Sequence, residues 1–349
     1  MKLIAVTASS LALAGLAFAG VTIPTAAEAA TKACNEAKTT WRFSFWGKRR
    51  AFTEAMEYVT KRVSDQTCGN FKIRLYYGEQ LSKSKENLDS ISVGAIDATS
   101  FCAAYHPGKN RPLNVLDLPF LPLANFDVMR RVHDAVYAHP ASKKALAKWN
   151  AVIYMSNILP QYEYMGRGKP PKSVKDFKGL RLRALGGMGR SAKAIGAVPT
   201  TMPAPETYTA LQRGTVDAIG FPFTYSFSAY KLDEVADWYT TNMSLGSVTC
   251  PTVFNKTAYE KLPASYKKIL AEAVPGAYDA LKANYAAKDK ANLARWGKSK
   301  MKAIKIPESE MAEFRRIGGE PLWKAWVEEN KGQIPAQELL DLVLKTAKQ

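Results

Sequence analysis

Two stretches of this chain, 120 residues apart, follow one rule. Gly94-Ala95-Ile96-Asp97-Ala98-Thr99-Ser100-Phe101 and Gly214-Thr215-Val216-Asp217-Ala218-Ile219-Gly220-Phe221 share the pattern G-x-[IV]-D-A-x-x-F. The glycine suits the left-handed residue just past a helix end. The β-branched residue and the alanine suit a buried strand. Each copy therefore reads as a helix-to-strand turn, and its surroundings agree. Residues 41–46 (WRFSFW) read as a strand, and Phe52, Met56, Val59 and Val63 mark one helix face. Phe71 to Tyr77 alternates like a strand, a helix from about Ser84 ends at Gly94, and Ala95 to Phe101 is a strand. The order returns later: strand from Gly179 to Leu185, helix from Gly186 to Ile195, strand from Val198 to Met202, helix from Glu206 to Arg213 and strand from Thr215 to Phe221.

The two copies are either a coincidence of two ordinary turns or two lobes of like topology. The second reading predicts an α/β chain, each lobe a mostly parallel sheet flanked by helices. Open sheets of this kind bind ligands beyond the carboxyl ends of their strands. Two facing lobes would put Phe101 and Phe221 on opposite walls of one cleft. Farther along, Val248 to Phe254 reads as a strand. A long helical region from Leu262-Pro263 to about Trp296 is interrupted only at Pro275-Gly276. Further helices include Ser309 to Arg316 and Ala336 to Ala347.

The start of the chain sets its compartment. Lys2 precedes a largely apolar stretch, whose strongest run, Leu11 to Gly20, is too short to span a bilayer. Ala27-Glu28-Ala29 fits a small-x-small cleavage site. This reads as a signal peptide over residues 1–30, cleaved near Ala29/Ala30, against the alternative of an N-terminal anchor. The mature protein is expected to be exported. Oxidation of an exported chain can pair cysteines, of which there are Cys34, Cys68, Cys102 and Cys250. Cys34 and Cys68 each precede a predicted strand, and adjacent parallel strands would bring those starts together, so Cys34–Cys68 is the expected disulfide. No CxxC or paired Cys/His pattern supports zinc, and no metal or other cofactor is assigned.

Catalytic sets are missing. The three histidines are His106, His133 and His139, and no HExxH, GxSxG, P-loop or strand-borne GxGxxG occurs. Gly186-Gly187-Met188-Gly189 opens a helix and reads either as an anion cradle on backbone N–H groups or as a plain tight turn. The formal charge is +18, but the basic residues are dispersed, the densest groups being Lys48-Arg49-Arg50 and Lys282 to Lys302. That is a solvated basic face and no nucleic-acid site. A positive field also concentrates small anions.

The stretch Lys169 to Pro222 resembles the signature region of solute-binding proteins of tripartite ATP-independent periplasmic (TRAP) transporters. It reads KPPKSVKDFKGLRLR, then AIGAVPTTMPAPETYTALQRGTVDA. The family pattern is P-x-x-x-x-D-x-K-G-x-[KR]-x-R, then A-x-G-A-x-P, M-P and E-x-Y-x-A-L-Q-x-G-x-V-D. Gly78-Glu79-Gln80-Leu81, Asp117-Leu118-Pro119-Phe120-Leu121 and Val253-Phe254-Asn255-Lys256 agree as well. The resemblance covers nearly the whole mature chain. It implies a two-lobed periplasmic binding protein fold with a hinge between the lobes and a long helix bracing both. The corresponding bounds are 31–157 plus 250–262 for the N-terminal lobe and 158–249 for the C-terminal lobe. Residues 263–349 would hold the brace and the last helices. It also implies a small organic acid as ligand, with small and large membrane permease subunits as partners.

Within the resemblance, Arg183 matches the arginine that clamps the ligand carboxylate, and a planar fork suits two carboxylate oxygens. The bland alternative is a structural arginine capping carbonyls or pairing with Asp217. Three departures stand out. Phe221 replaces an asparagine that meets the ligand. Ala204 stands where polar-ligand members carry phenylalanine. A second family arginine aligns near Glu163, with Arg167 four residues away. The pocket is therefore expected to be aromatic, drawing on Trp46, Phe101, Tyr105, Phe221, Phe223 and Tyr225. Such walls with one arginine suit a monocarboxylate with an apolar or aromatic body. The competing readings are a C4-dicarboxylate or keto-acid receptor of the same system, and a periplasmic enzyme acting on an organic acid.

Overall fold

The computed structural model describes residues 33–106 and 108–349. The expected signal peptide and cleavage site lie outside the described residues. Eleven strands form two sheets among them. In chain order these are β1 (Thr39–Phe45), β2 (Phe71–Tyr76), β3 (Ala98–Ser100), β4 (Ala151–Ser156), β5 (Tyr162–Gly166) and β6 (Arg181–Arg183). There follow β7 (Val198–Thr200), β8 (Ala218–Pro222), β9 (Trp238–Thr240), β10 (Pro251–Asn255) and β11 (Lys302–Ile304). One sheet runs β2-β1-β3-β10-β4 and the other β11-β9-β5-β8-β6-β7.

The two G-x-[IV]-D-A-x-x-F copies occupy matching places in these sheets. Gly94 and Gly214 have φ of 70° and 69°, and each closes its helix in the same way. Ala95 N–H donates to Ser90 O, and Thr215 N–H donates to Ala210 O, both at 2.9 Å. This is the six-to-one bond of a glycine-ended helix. The aspartates are equivalent too. Asp97 Oδ2 accepts the backbone N–H of Arg42 on β1, and Asp217 Oδ2 accepts that of Arg181 on β6, both at 2.8 Å. Each aspartate also pairs with that arginine's side chain. The motif is thus a stitch between a strand and its parallel neighbour, β1 to β3 and β6 to β8.

Each sheet is mostly parallel, as expected, and is mixed by one opposing strand. β10 runs antiparallel between β3 and β4, and β5 antiparallel between β8 and β9. The chain reaches β5 from β4 of the first sheet, and β10 from β9 of the second. Each sheet is therefore completed by a strand crossing from the other. The crossings, residues 157–161 and 241–250, run side by side. Asn157 N–H donates to Cys250 O, Tyr162 N–H to Gly246 O and Leu245 N–H to Tyr162 O.

The helix Ala264–Trp296 is continuous through Pro275, so the interruption expected there does not occur. An interior proline costs one backbone bond, and packing outweighs it here. The helix lies along Glu54–Gln66, and the missing side chain of Gly276 makes room for the Tyr58 hydroxyl. At about 1.5 Å per residue the helix is about 50 Å long and grips both halves. Tyr266 Oη donates to Ala37 O, and Tyr278 Oη accepts the N–H of Ser156 on β4. At its other end Asp289 accepts both N–H and O–H of Thr224, just after β8, and Asn292 donates to Thr224 and Ser228.

Two disulfides are formed. Cys34–Cys68 is the expected one, and Cys102–Cys250 joins the segment after β3 to the start of β10.

Candidate binding cavity between the two sheets

Arg183 ends β6 and is almost fully buried, with 1% exposure. Its side chain points into a cavity between the sheets. Its Nε donates to Met202 O at 3.2 Å, Nη1 to Gly220 O at 2.7 Å and Nη2 to Tyr105 Oη at 3.1 Å. All three partners are uncharged oxygens. Of the five N–H groups of a guanidinium, one on Nη1 and one on Nη2 have no partner here. That pair can serve a carboxylate end-on. A buried cation without a counter-charge is costly, and no Asp or Glu lines this cavity. Asp217 is taken by Arg181 on the neighbouring surface.

Rings surround this charge. Phe221 on β8 lies face-on, with the guanidinium carbon 4.6 Å from its centroid. Tyr105 approaches from the first sheet's side, and its hydroxyl also accepts the N–H of Ala204 at 3.1 Å. Trp46 packs edge-on against Tyr105, and Tyr225 and Tyr230 complete the wall. Burial raises the phenol of Tyr162, partly offset by the Arg183 charge beside it. The free volume enclosed is ≈ 20 Å³, room for a water molecule. Outside it a wider cleft of ≈ 370 Å³ opens between Lys48 and Glu79 on one side and Pro205 and Tyr208 on the other. Trp46 and Tyr230 line both spaces.

Of the residues singled out in the sequence, Arg183, Phe221, Trp46, Tyr105 and Tyr225 come together here. Three do not. Phe101 packs edge-on against His106, because its N–H is drawn to Pro251 O on β10 and the chain turns before it can face Phe221. Phe223 packs against Phe227, Tyr239 and Trp296. Arg167 donates to the carbonyls of Leu211 and Gln212 and so closes a helix end. Glu163, where a second arginine aligned, is buried and accepts from Thr240 Oγ1 and from the N–H groups of Met243 and Ser244. It fastens β5 to the crossing segment. Burial raises its carboxyl, and those three bonds oppose the rise.

The sequence reading missed Arg50. It lines the same cavity with 7% exposure, stacked 4.5 Å from the Trp46 ring and 4.6 Å from that of Phe52. The only available signal was its distance of four residues from Trp46. In Lys48-Arg49-Arg50 the neighbours disguise it, since Arg49 is exposed and pairs with Glu57. The glycines opening the helix Gly186–Ala194 hold no free cradle either. A side chain on Gly187 would strike the backbone oxygen of Asp117, so the chain itself occupies that end. Among the described residues no cluster of His, Cys, Asp or Glu is placed to hold a metal ion, and no helix is long and apolar enough to cross a membrane.

The chain is similar to known proteins over most of its length. The family model for bacterial extracellular solute-binding protein, family 7 (DctP), matches residues 44–330. A solute-binding protein of Verminephrobacter eiseniae is 27% identical over 63% of this chain, and the alignment spans 65% of that protein's length. Three solved structures of TRAP solute-binding proteins share the fold. The Desulfovibrio salexigens protein with bound orotic acid has a TM-score of 0.80 at 22% identity, over 89% of this chain and 99% of its own. That of Rhodoferax ferrireducens with copurified benzoate scores 0.79 at 21%, over 89% and 98%. That of Sulfitobacter with β-D-galacturonate scores 0.75 at 18%, over 88% and 100%.

Proposed function

Because the chain belongs to family 7 of the bacterial extracellular solute-binding proteins, we propose that it is a periplasmic TRAP receptor for an organic monocarboxylate with an apolar or aromatic body. Arg183 clamps the carboxylate in the inter-sheet cavity, and the loaded receptor hands it to the small and large membrane subunits of the permease. No bond is made or broken. The observation that carries this reading is Arg183 itself: buried, bonded only to neutral oxygens, with two N–H groups left over and a phenylalanine ring against its face. A carboxylate supplies the missing charge, and a ring continues the aromatic wall.

Access requires movement. The closed walls leave space for little more than water, so an acid enters when the lobes part at the two crossing segments. It then stabilises the closed form by touching both sides. Tyr105 on one side and Arg183 with Ala204 on the other are the groups that meet on closure. Closure removes water and strengthens the ion pair. The phenylalanine and the other rings of the wall argue for an apolar body over a sugar acid, although orotate, benzoate and galacturonate each occur in proteins of this fold.

The test is a thermal-shift screen of the mature protein with benzoate, orotate, 2-oxoacids, C4-dicarboxylates and galacturonate. A ligand bound only by the folded state raises the melting temperature. The expected result is a clear rise with a ring-bearing monocarboxylate. A rise with dicarboxylates or sugar acids alone overturns the monocarboxylate reading.

A further inference from the structure

We propose that the cavity has a second pole, formed by Arg50, Trp46 and Tyr230, which takes an oxygen acceptor on the ligand's body remote from its carboxylate. This rests on the monocarboxylate reading of Arg183 and narrows it to acids whose ring carries a second oxygen, as hydroxyl or carbonyl.

The argument starts from unmet donors. The Arg50 guanidinium makes one hydrogen bond, from Nη1 to Lys48 O at 2.6 Å, the residue's other bonds being backbone ones to Thr53. Its buried Nε has no partner, nor has the indole Nε1 of Trp46 or the hydroxyl of Tyr230. All three side chains are at least nine-tenths buried and line the same cavity. Native proteins pair nearly all buried polar groups, so three orphans in one place mark a site awaiting an acceptor. Their closeness shows at Gly47, where a side chain would collide with both the Arg50 guanidinium and the Tyr230 hydroxyl. Only glycine lets the backbone pass there.

The charges agree. Burial raises the Tyr230 phenol, and the Arg50 and Arg183 charges both oppose it, Arg50 more strongly. Tyr230 thus stands within reach of both cations. Between them lie rings: Phe221 is stacked on Arg183 and lies 5.4 Å from Tyr230, which lies 5.7 Å from the Arg50 guanidinium. A flat body with oxygen at both ends matches cation, rings and cation in turn. Three aromatic faces around Arg50 hold the guanidinium without neutralising it, so an uncharged acceptor has donors to meet.

The experiment is titration calorimetry of the mature protein with benzoate, 3-hydroxybenzoate and 4-hydroxybenzoate. It compares wild type with Arg50→Met, Tyr230→Phe and Arg183→Lys. Circular dichroism and the ligand-free melting temperature verify folding, and Tyr230→Phe, which loses only the hydroxyl, keeps the test valid should Arg50→Met fold poorly. In the wild type at least one oxygen-bearing acid should bind tenfold or more tightly than benzoate. Arg50→Met should erase that advantage and Tyr230→Phe reduce it, each read as the ratio of the oxygen-bearing acid's affinity to that of benzoate in the same variant. Arg183→Lys should weaken every acid alike. If benzoate binds as well as the others, or the advantage survives in both variants, the second pole is overturned while the Arg183 clamp stands. If no ring acid binds the wild type at all, the ring-acid reading and the second pole fall together.

Discussion

The guanidinium carbon of Arg183 lies 4.6 Å from the ring centroid of Phe221, although the two residues sit on different strands, β6 and β8, joined in parallel register. The ring covers one face of the cation and the Gly220 carbonyl just before it accepts from Nη1. Arg183→Ala is expected to abolish measurable binding of any acid. Arg183→Lys keeps a charge but loses the fork and should cost at least tenfold, because a bidentate pair does not survive that change. Phe221→Asn should weaken a ring acid several-fold, a cation–π contact being worth about 0.5–2 kcal/mol, and admit more polar acids. Calorimetry on the three variants decides; near-wild-type affinity in Arg183→Ala would sink the clamp.

Tyr105 is the clearest link across the cavity. Its hydroxyl accepts from Arg183 Nη2 and from the Ala204 N–H, both at 3.1 Å, while its own backbone follows β3 in the other sheet. Tyr105→Phe leaves two buried donors unpaired in the closed form, at about 1–3 kcal/mol each, and spares the open form, where water serves them. Ligand affinity should fall at least tenfold, and solution scattering should show a larger ligand-free radius of gyration than in the wild type. Unchanged affinity with unchanged dimensions would remove Tyr105 from the closing contact.

How far the sequence foretold this follows from what each feature depends on. The two glycine turns, the amphipathic helix Glu54–Gln66 and the stretch around Arg183 are local, set by backbone preference and short-range pattern, and they were legible. Cys34–Cys68 was legible because parallel neighbours start together. Arg50 was not, since burial in a basic run depends on Trp46, Phe52 and Tyr230, the last 180 residues away. Phe101 and Phe221 hold equivalent positions in a repeat, yet only Phe221 reaches the cavity. The difference is where the strand ends: β8 runs through Phe221 and β3 stops at Ser100, although each borders a strand arriving from the other half, β5 and β10, which no local pattern announces. The crossing into β10 also brings Cys250 to Cys102.

That second disulfide carries a stability prediction. Cys102 and Cys250 are 148 residues apart, and Cys34 and Cys68 only 34. On the chain-entropy account the longer loop loses more freedom when closed, about 5 kcal/mol against about 4. Replacing both Cys102 and Cys250 with serine should therefore lower the denaturant midpoint more than replacing Cys34 and Cys68. Because Cys102 lines the cavity, the first double variant should also bind ligand more weakly, and the second should not. Equal midpoints in the two double variants would show that loop length does not govern their stability.

Asp117 lies where the halves meet and gives the protein a pH dependence of definite sign. Its Oδ1 accepts the N–H of Thr249 in the second crossing segment at 2.6 Å, and its Oδ2 accepts from Asn114 Nδ2 at 3.0 Å. Burial raises its pKa from 3.8 to about 7, those two bonds opposing the rise. The folded protein thus holds a proton that the unfolded chain releases near pH 4. The stability this contributes is whole below that point and is lost as pH rises through about 7. Buried His133 and His106, with pKa lowered to about 3 and about 4, act in the opposite sense, their share being lost as pH falls below 6.5. Comparison with Asp117→Asn isolates the aspartate, since asparagine keeps a carbonyl for the Thr249 N–H. Melting curves from pH 4 to 8 should show the wild type losing several degrees relative to the variant, most of it between pH 5 and 7. Parallel curves would mean that Asp117 titrates in the folded protein as it does in the unfolded chain.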